Sequence, residues 1–194
     1  MCPTTHVLEI CNFGLIGALP LIFFKRGKLT GMWAVTAAPF FLSFLSNVAG
    51  GLGLVPTLLD MSPAGAAILS GAAVPAFAGS MTLIGLTLGA HRIPLALWHQ
   101  LDDAPVHIVT WGPYASVRHP FYVSFILALI GSFLSSPNIG AIGALLYGVT
   151  MMNITAVREE RRLLQSDLGA EYGEYLARTG RFAPRWPAPK SIAP

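Results

Sequence analysis

Hydrophobic positions gather into five long runs, residues 7–24, 31–59, 64–90, 121–134 and 139–157, with polar positions crowded between and after them. Alternation of period two is absent, which argues against a β-barrel. An α-helix needs about 20 residues to cross the hydrocarbon core of a bilayer, and measured against that length each run predicts a membrane helix. The fourth run is short, so its helix is expected to begin inside the Arg118-His119-Pro120 corner. Gly, Ala and Ser recur through the second and third runs, a composition that suits close helix–helix contact in lipid. The predicted fold is all-α and integral to the membrane: five transmembrane helices with a cytoplasmic C-terminal helical tail, forming a single domain over residues 1–194.

Composition supports this reading. Hydrophobic residues make up 54% of the chain and charged residues 11%, whereas a soluble domain carries about a quarter charged residues. Lys25, Arg26 and Lys28 follow the first run, Arg92 the third, and Arg118 precedes the fourth; the remaining arginines and Lys190 lie in the tail. With five crossings every basic residue falls on one side, and the positive-inside rule places the N-terminus outside and the C-terminus in the cytoplasm. The opposite side carries only Glu9 and Asp60, and Glu9, near a helix end, is read as reaching water. No basic residue precedes the first run and no small-residue cleavage site follows it, so it reads as a retained helix rather than a signal peptide. The net charge of +3 calls for no nucleic-acid partner, since anionic headgroups of the bilayer attract such residues. Cys2 and Cys11 have no metal-type spacing, and a disulfide between them is not expected.

The polar residues that could carry chemistry lie in two segments, 91–120 and 158–194. The tail continues the fifth helix through Arg158-Glu159-Glu160-Arg161-Arg162, where charge partners stand three and four residues apart. Gly169 reads as a helix stop or kink, a second short helix is predicted over 170–178, and prolines end regular structure after Gly180. In the first segment Gly112-Pro113 reads as a turn. Pro120 holds His119 extended and starts the fourth helix. The start of that helix, with its free N–H groups, is a seat for a carboxylate, and the planar fork of Arg118 could grip one at two points. Tyr114 and Tyr122 could stack on a flat ring or face a cation. The same residues also read as an interfacial belt of aromatic and basic side chains. Adjacent carboxylates on a helix point about 100° apart, so only one of Glu159 and Glu160 is expected to face a given site. A set of exposed charges paired with Arg158, Arg161 and Arg162 is the plainer reading of that segment. His91, His99 and His107, with Asp102 and Asp103, match no ligand spacing, and no metal site is predicted.

Two motifs add a resemblance. Gly112-Pro113-Tyr114 followed by Val117-Arg118-His119-Pro120 and Tyr122, then Glu159-Glu160, Leu163, Gly169, Tyr172 and Tyr175, and finally Thr179-Gly180-Arg181-Phe182 with Pro184, resemble in order the signature of the isoprenylcysteine carboxyl methyltransferase family, which includes phospholipid N-methyltransferases. The likeness covers the C-terminal half, and one extra residue stands between Leu163 and Gly169. It implies an S-adenosylmethionine-dependent methyltransferase, with a cofactor-binding part at about 88–186 and a lipophilic small-molecule or prenylated acceptor arriving from the bilayer. Carried over residue by residue, it places Gly112, Pro113, Tyr114, Val117, Arg118, His119, Pro120, Tyr122, Glu159, Glu160 and Arg181 around the cofactor, with Arg118, His119 and Glu160 in catalytic roles. Arg118 is then a membrane-surface residue whose removal weakens cofactor binding and leaves the fold intact. The alternatives are phospholipid amine N-methylation, an NADPH-dependent membrane reductase of the sterol type, and a structural or accessory membrane protein without enzymatic activity.

Overall fold

The computed structural model describes residues 3–23, 31–59, 61–90 and 107–185. Lys25, Arg26, Lys28, Asp60, His91, Arg92, His99, Asp102, Asp103 and Lys190, on which the topology argument and the histidine set rest, lie outside them, as does Cys2. Six α-helices and no strand occur among the described residues: α1 (Pro3–Phe23), α2 (Gly31–Gly51), α3 (Pro63–Ala90), α4 (Pro120–Ser135), α5 (Ile139–Leu164) and α6 (Gly169–Arg178), with a 3₁₀ turn at Gly112–Ala115 before α4.

Two helices among the described residues are candidates for crossing a membrane. α3 and α5 are long and apolar enough to cross a bilayer, yet only 22% and 28% of their most apolar stretches is buried within the protein. Uncovered apolar surface of that extent requires a lipid or protein partner. Ile68 and Leu146, 72% and 62% exposed, show which faces those are. Of the five predicted crossings, two helices meet the length of a span among the described residues, while the apolar stretches Thr4–Leu19, Val35–Gly51 and Pro120–Ser135 are shorter. The sequence run at 31–59 is the clearest shortfall. Its helix ends at Gly51, because Gly53 takes a positive φ of 74° and Pro56 cannot donate to a helix. The chain then turns, and the Leu58 N–H bonds the Pro137 carbonyl at 2.9 Å.

Small residues let the helices approach. α3 buries Ala73, Phe77, Ser80, Ile84, Thr87 and Ala90 at spacings of three and four, one continuous helical face. α4 answers with Ala128, Gly131 and Ser132. A Cβ on Gly131 would stand 2.9 Å from the Phe77 ring, and one on Gly148 of α5 would stand 2.5 Å from Leu129. Around these contacts Ile84, Phe125, Leu129 and Met152 form the apolar core, with Phe40 edge-on to both Phe13 and Phe125 at 5.2 and 5.8 Å between centroids. Pro39 lies inside α2, so the Val35 carbonyl loses its helical donor. The Tyr147 hydroxyl of α5 donates to it at 3.0 Å, the kind of replacement that makes proline tolerable in an apolar bundle.

Polar side chains join the helices at the end where α4 passes into α5. Asn138 caps α5, its Oδ1 accepting from the Ala141 N–H at 2.9 Å. Its Nδ2 donates to Asn47 Oδ1 at 2.9 Å, and Asn47 Nδ2 donates to Glu9 Oε1 at 2.9 Å and to the Ser132 carbonyl at 3.1 Å. Asn12 of α1 donates to the Phe77 carbonyl of α3 at 3.0 Å. Glu9 therefore does not reach water as its position near a helix end suggests: it is fully buried, because the helix face that carries it turns into the bundle.

The opposite end of α4 is tied to the tail. α5 continues through the charged run as expected, the second short helix is α6, and Gly169 opens α6 rather than stopping α5. A Cβ on Gly169 would lie 2.3 Å from the Leu164 carbonyl oxygen, so glycine is what permits the tight reversal.

Candidate functional site

The Gly112–Phe121 segment and the tail meet backbone to backbone. Gly112 sits at φ 61°, where a side chain is strained, and opens the 3₁₀ turn. Beyond that turn Val117 pairs with Gly180 in a parallel bridge, the Arg118 N–H donating to the Gly180 carbonyl at 2.9 Å and the His119 N–H to the Arg181 carbonyl at 3.2 Å. Pro120 then starts α4, with His119 as its N-cap residue. The two sequence motifs are thus two sides of one corner.

Glu160 is the centre of that corner. Its side chain is 7% exposed and receives Arg118 Nε at 3.0 Å and His119 Nε2 at 3.2 Å, both at Oε1. Arg181 grips the same carboxylate at two points, Nε to Oε1 at 3.1 Å and Nη2 to Oε2 at 2.7 Å. Arg118 Nη1 donates to the carbonyls of Leu176 (3.3 Å) and Thr179. Arg181 Nη1 donates to Asn153 Oδ1 at 2.9 Å. Arg118 is 9% exposed, so it is an interior clamp and not the surface residue with a free fork that the sequence suggests.

Glu159 faces the same corner. Its Oε1 accepts from the Tyr122 hydroxyl at 2.9 Å, and its Oε2 lies 3.5 Å from His119 Nδ1. The expectation that only one of the two glutamates faces inward fails because an imidazole has nitrogens on two edges. Lying across the helix, it reaches both carboxylates despite their 100° separation. The His119 ring stacks on Tyr122 with centroids 5.2 Å apart and 6° between planes, and Phe182 meets both rings edge-on. The stacking surface of Tyr122 is therefore used inside the protein.

Tyr114 is buried beneath the corner. Its carbonyl accepts from the Tyr175 hydroxyl at 2.7 Å, and burial pushes the Tyr175 phenol up to about 12, keeping it protonated as the donor. Tyr175→Phe removes this donor to the Tyr114 carbonyl and is expected to cost about 1 kcal/mol, measured as a loss of thermal stability in detergent.

All eleven residues singled out from the sequence come together here, in or directly beside the corner. Asn153, Leu176 and Thr179 complete it. Asn153 was legible as a lone amide seven residues, two helical turns, before Glu160; the Leu176 and Thr179 contributions are backbone carbonyls and leave no mark on side-chain pattern. Glu160 holds Arg118 and Arg181 together, and through them the tail, at the start of α4. A cavity between α2, α4 and α5, bordered by Tyr122, Phe125, Met152 and Thr155, has a volume of about 20 Å³, room for one water. His107, the described member of the histidine set, stacks on Trp111 at 6.3 Å between centroids. Among the described residues no three His, Cys, Asp or Glu side chains converge to hold a metal ion.

The chain is similar to two metal-resistance proteins. It is 35% identical over 107 residues to the cobalt-zinc-cadmium resistance protein CzcN of Cupriavidus metallidurans, an alignment covering 52% of this chain and 49% of that protein. It is 32% identical, again over 107 residues, to the nickel-cobalt-cadmium resistance protein NccN of Alcaligenes xylosoxydans xylosoxydans, covering 52% of this chain and 50% of that protein. The chain thus spans about half the length of the curated relatives it matches. No protein-family model matches it, and no solved structure does. These relatives correct the expectation drawn from the motifs: both are named for resistance to metals and neither for methyl transfer or reduction. The isoprenylcysteine methyltransferase reading, with its S-adenosylmethionine chemistry, its phospholipid N-methylation variant and its reductase alternative, is set aside on that finding. The physical reason the motifs misled is visible in the corner, where arginine, histidine, tyrosine and glutamate in that order make an internal clamp.

Proposed function

We propose that this chain is a multi-pass membrane protein that serves resistance to divalent heavy-metal cations in an accessory, non-enzymatic role. The similarity to two proteins named for cobalt, zinc, cadmium and nickel resistance carries the proposal. The corner supports it, because the charged groups that would otherwise suggest catalysis neutralise one another and fasten the tail to α4 and α5. In this reading α1, α2 and α4 cross the bilayer together with α3 and α5, giving five crossings with the N-terminus outside and the C-terminus in the cytoplasm. The distribution of basic residues supports that orientation.

The test is growth. Cells in which this chain has been deleted, and the same cells carrying it on a plasmid, are grown across a series of cobalt, nickel, zinc and cadmium concentrations. The deletion is expected to lower the concentration that halves growth by at least about twofold for one or more of these metals, with restoration by the plasmid. Equal growth of both strains in all four metals overturns the proposal.

A further inference from the structure

We propose that His6 and Glu9 form a binding site for a divalent transition-metal cation inside the helix bundle, with cobalt, nickel, zinc and cadmium as the fitting class. The site rests on geometry, and only the choice of metals rests on the function proposed above.

Glu9 is fully buried. Two donors attach to one oxygen: Oε1 accepts from Asn47 Nδ2 at 2.9 Å and from the Ser132 hydroxyl. Oε2 is buried without any hydrogen-bond partner. A buried carboxylate oxygen left in that state is costly, and a bound ion is one of the few explanations a native structure offers for it. The group standing opposite Oε2 is His6 Nδ1 at 3.6 Å, one helical turn earlier. That distance is too long for a hydrogen bond and makes an ion pair only when the imidazole is protonated, so a neutral His6 leaves both atoms available to a cation. Two ligand atoms held at about 2.1 Å by one tetrahedral ion stand about 3.4 Å apart, so the pair has the bite of a chelate.

The surroundings favour a cation. The groups bonded to Glu9 are neutral, whereas Glu160 at the far end of α4 is neutralised by two arginines and repels metal. Imidazole and carboxylate together suit zinc, cobalt, nickel and cadmium better than calcium or magnesium. The His6 side chain is 30% exposed, which gives the ion a way in. With two protein ligands among the described residues, water completes the coordination shell and the ion exchanges. Ionisable residues inside a membrane bundle commonly mark such passages.

The probe is cobalt(II) alone, titrated into the purified full-length chain in detergent and followed by visible absorption. Saturable d–d bands at one equivalent are expected for the wild type. Glu9→Gln, whose amide oxygen still accepts from Asn47 and Ser132, and His6→Ala are each expected to weaken cobalt binding at least tenfold with helical circular dichroism unchanged. Cys11→Ser, at an exposed thiol, is expected to leave the spectrum unaltered. Absence of saturable bands in the wild type overturns the site, and so does unchanged affinity in a folded His6→Ala variant, which decides the matter should Glu9→Gln fail to fold. Loss of cobalt binding in both variants sustains the site even where the growth test fails. Conversely, resistance conferred by a chain that binds no cobalt leaves the proposed function standing and removes this site.

Discussion

Glu160→Gln is expected to destabilise the protein by about 3–5 kcal/mol, the range for removing one partner of a buried ion pair. The substitution keeps the shape of the side chain and loses its charge, leaving the Arg118 guanidinium buried at 9% exposure against a neutral amide. Arg181, a third exposed, can turn toward water and suffers less. Chemical denaturation in detergent, followed by circular dichroism, measures the loss. Glu159→Gln is expected to cost distinctly less, because it disturbs one tyrosine hydroxyl and one histidine edge rather than two guanidiniums. A cycle with Arg118→Met isolates the pair, the double variant being less destabilised than the sum of the two singles. A loss under about 1 kcal/mol for Glu160→Gln would show that the clamp does not hold the tail.

Gly180→Ala is expected to detach the tail. A Cβ at this position would lie 1.7 Å from the Ala183 carbonyl oxygen and 3.3 Å from the Arg185 nitrogen, backbone atoms that cannot swing aside like a side chain. The turn at 180–183 must open, and with it goes the Gly180 carbonyl that receives the Arg118 N–H. Arg181, the next residue, then loses its approach to Glu160. A cost of about 3 kcal/mol, the upper end for overpacking, is expected. Limited trypsin digestion gives a direct reading: cleavage at Arg178 and Arg181 is expected to quicken severalfold in the variant while fragments from α3 to α5 persist. Cleavage at the wild-type rate would mean the 180–183 turn relaxes without disturbing the corner.

The membership of the candidate corner was legible in the sequence, and its chemistry was not. Arg118, His119, Glu160 and Arg181 stand out because charged and titratable residues are rare in so apolar a chain. Their partners, however, are 42 and 21 residues away from Glu160 along the chain. Whether an arginine offers its fork to a ligand or to an internal carboxylate depends on where the tail docks, and that contact is made by backbone bonds at 117–119 and 180–181, which no residue pattern records. Glu9 shows the same limit from the other side. Its place near a helix end suggested contact with water, but the rotation of α1 against α2 and α4 turns it onto Asn47 and Ser132.

By itself the sequence determined the helical, apolar character of the chain, with two helices long enough to cross a membrane, the start of α4 at Pro120, the run of α5 past the apolar span, and the short α6. These follow from local properties: apolar run length, the missing N–H of proline, and glycine at turns. The tertiary structure alone decided that Glu159 and Glu160 share one histidine, that Arg118 is a clamp, that the 31–59 run breaks at Gly51, and that Glu9 is buried beside His6 with one oxygen free of hydrogen bonds. Burial and pairing of a charge are set by which helix faces meet, a relation between distant segments, and so they appear only when the whole chain is packed.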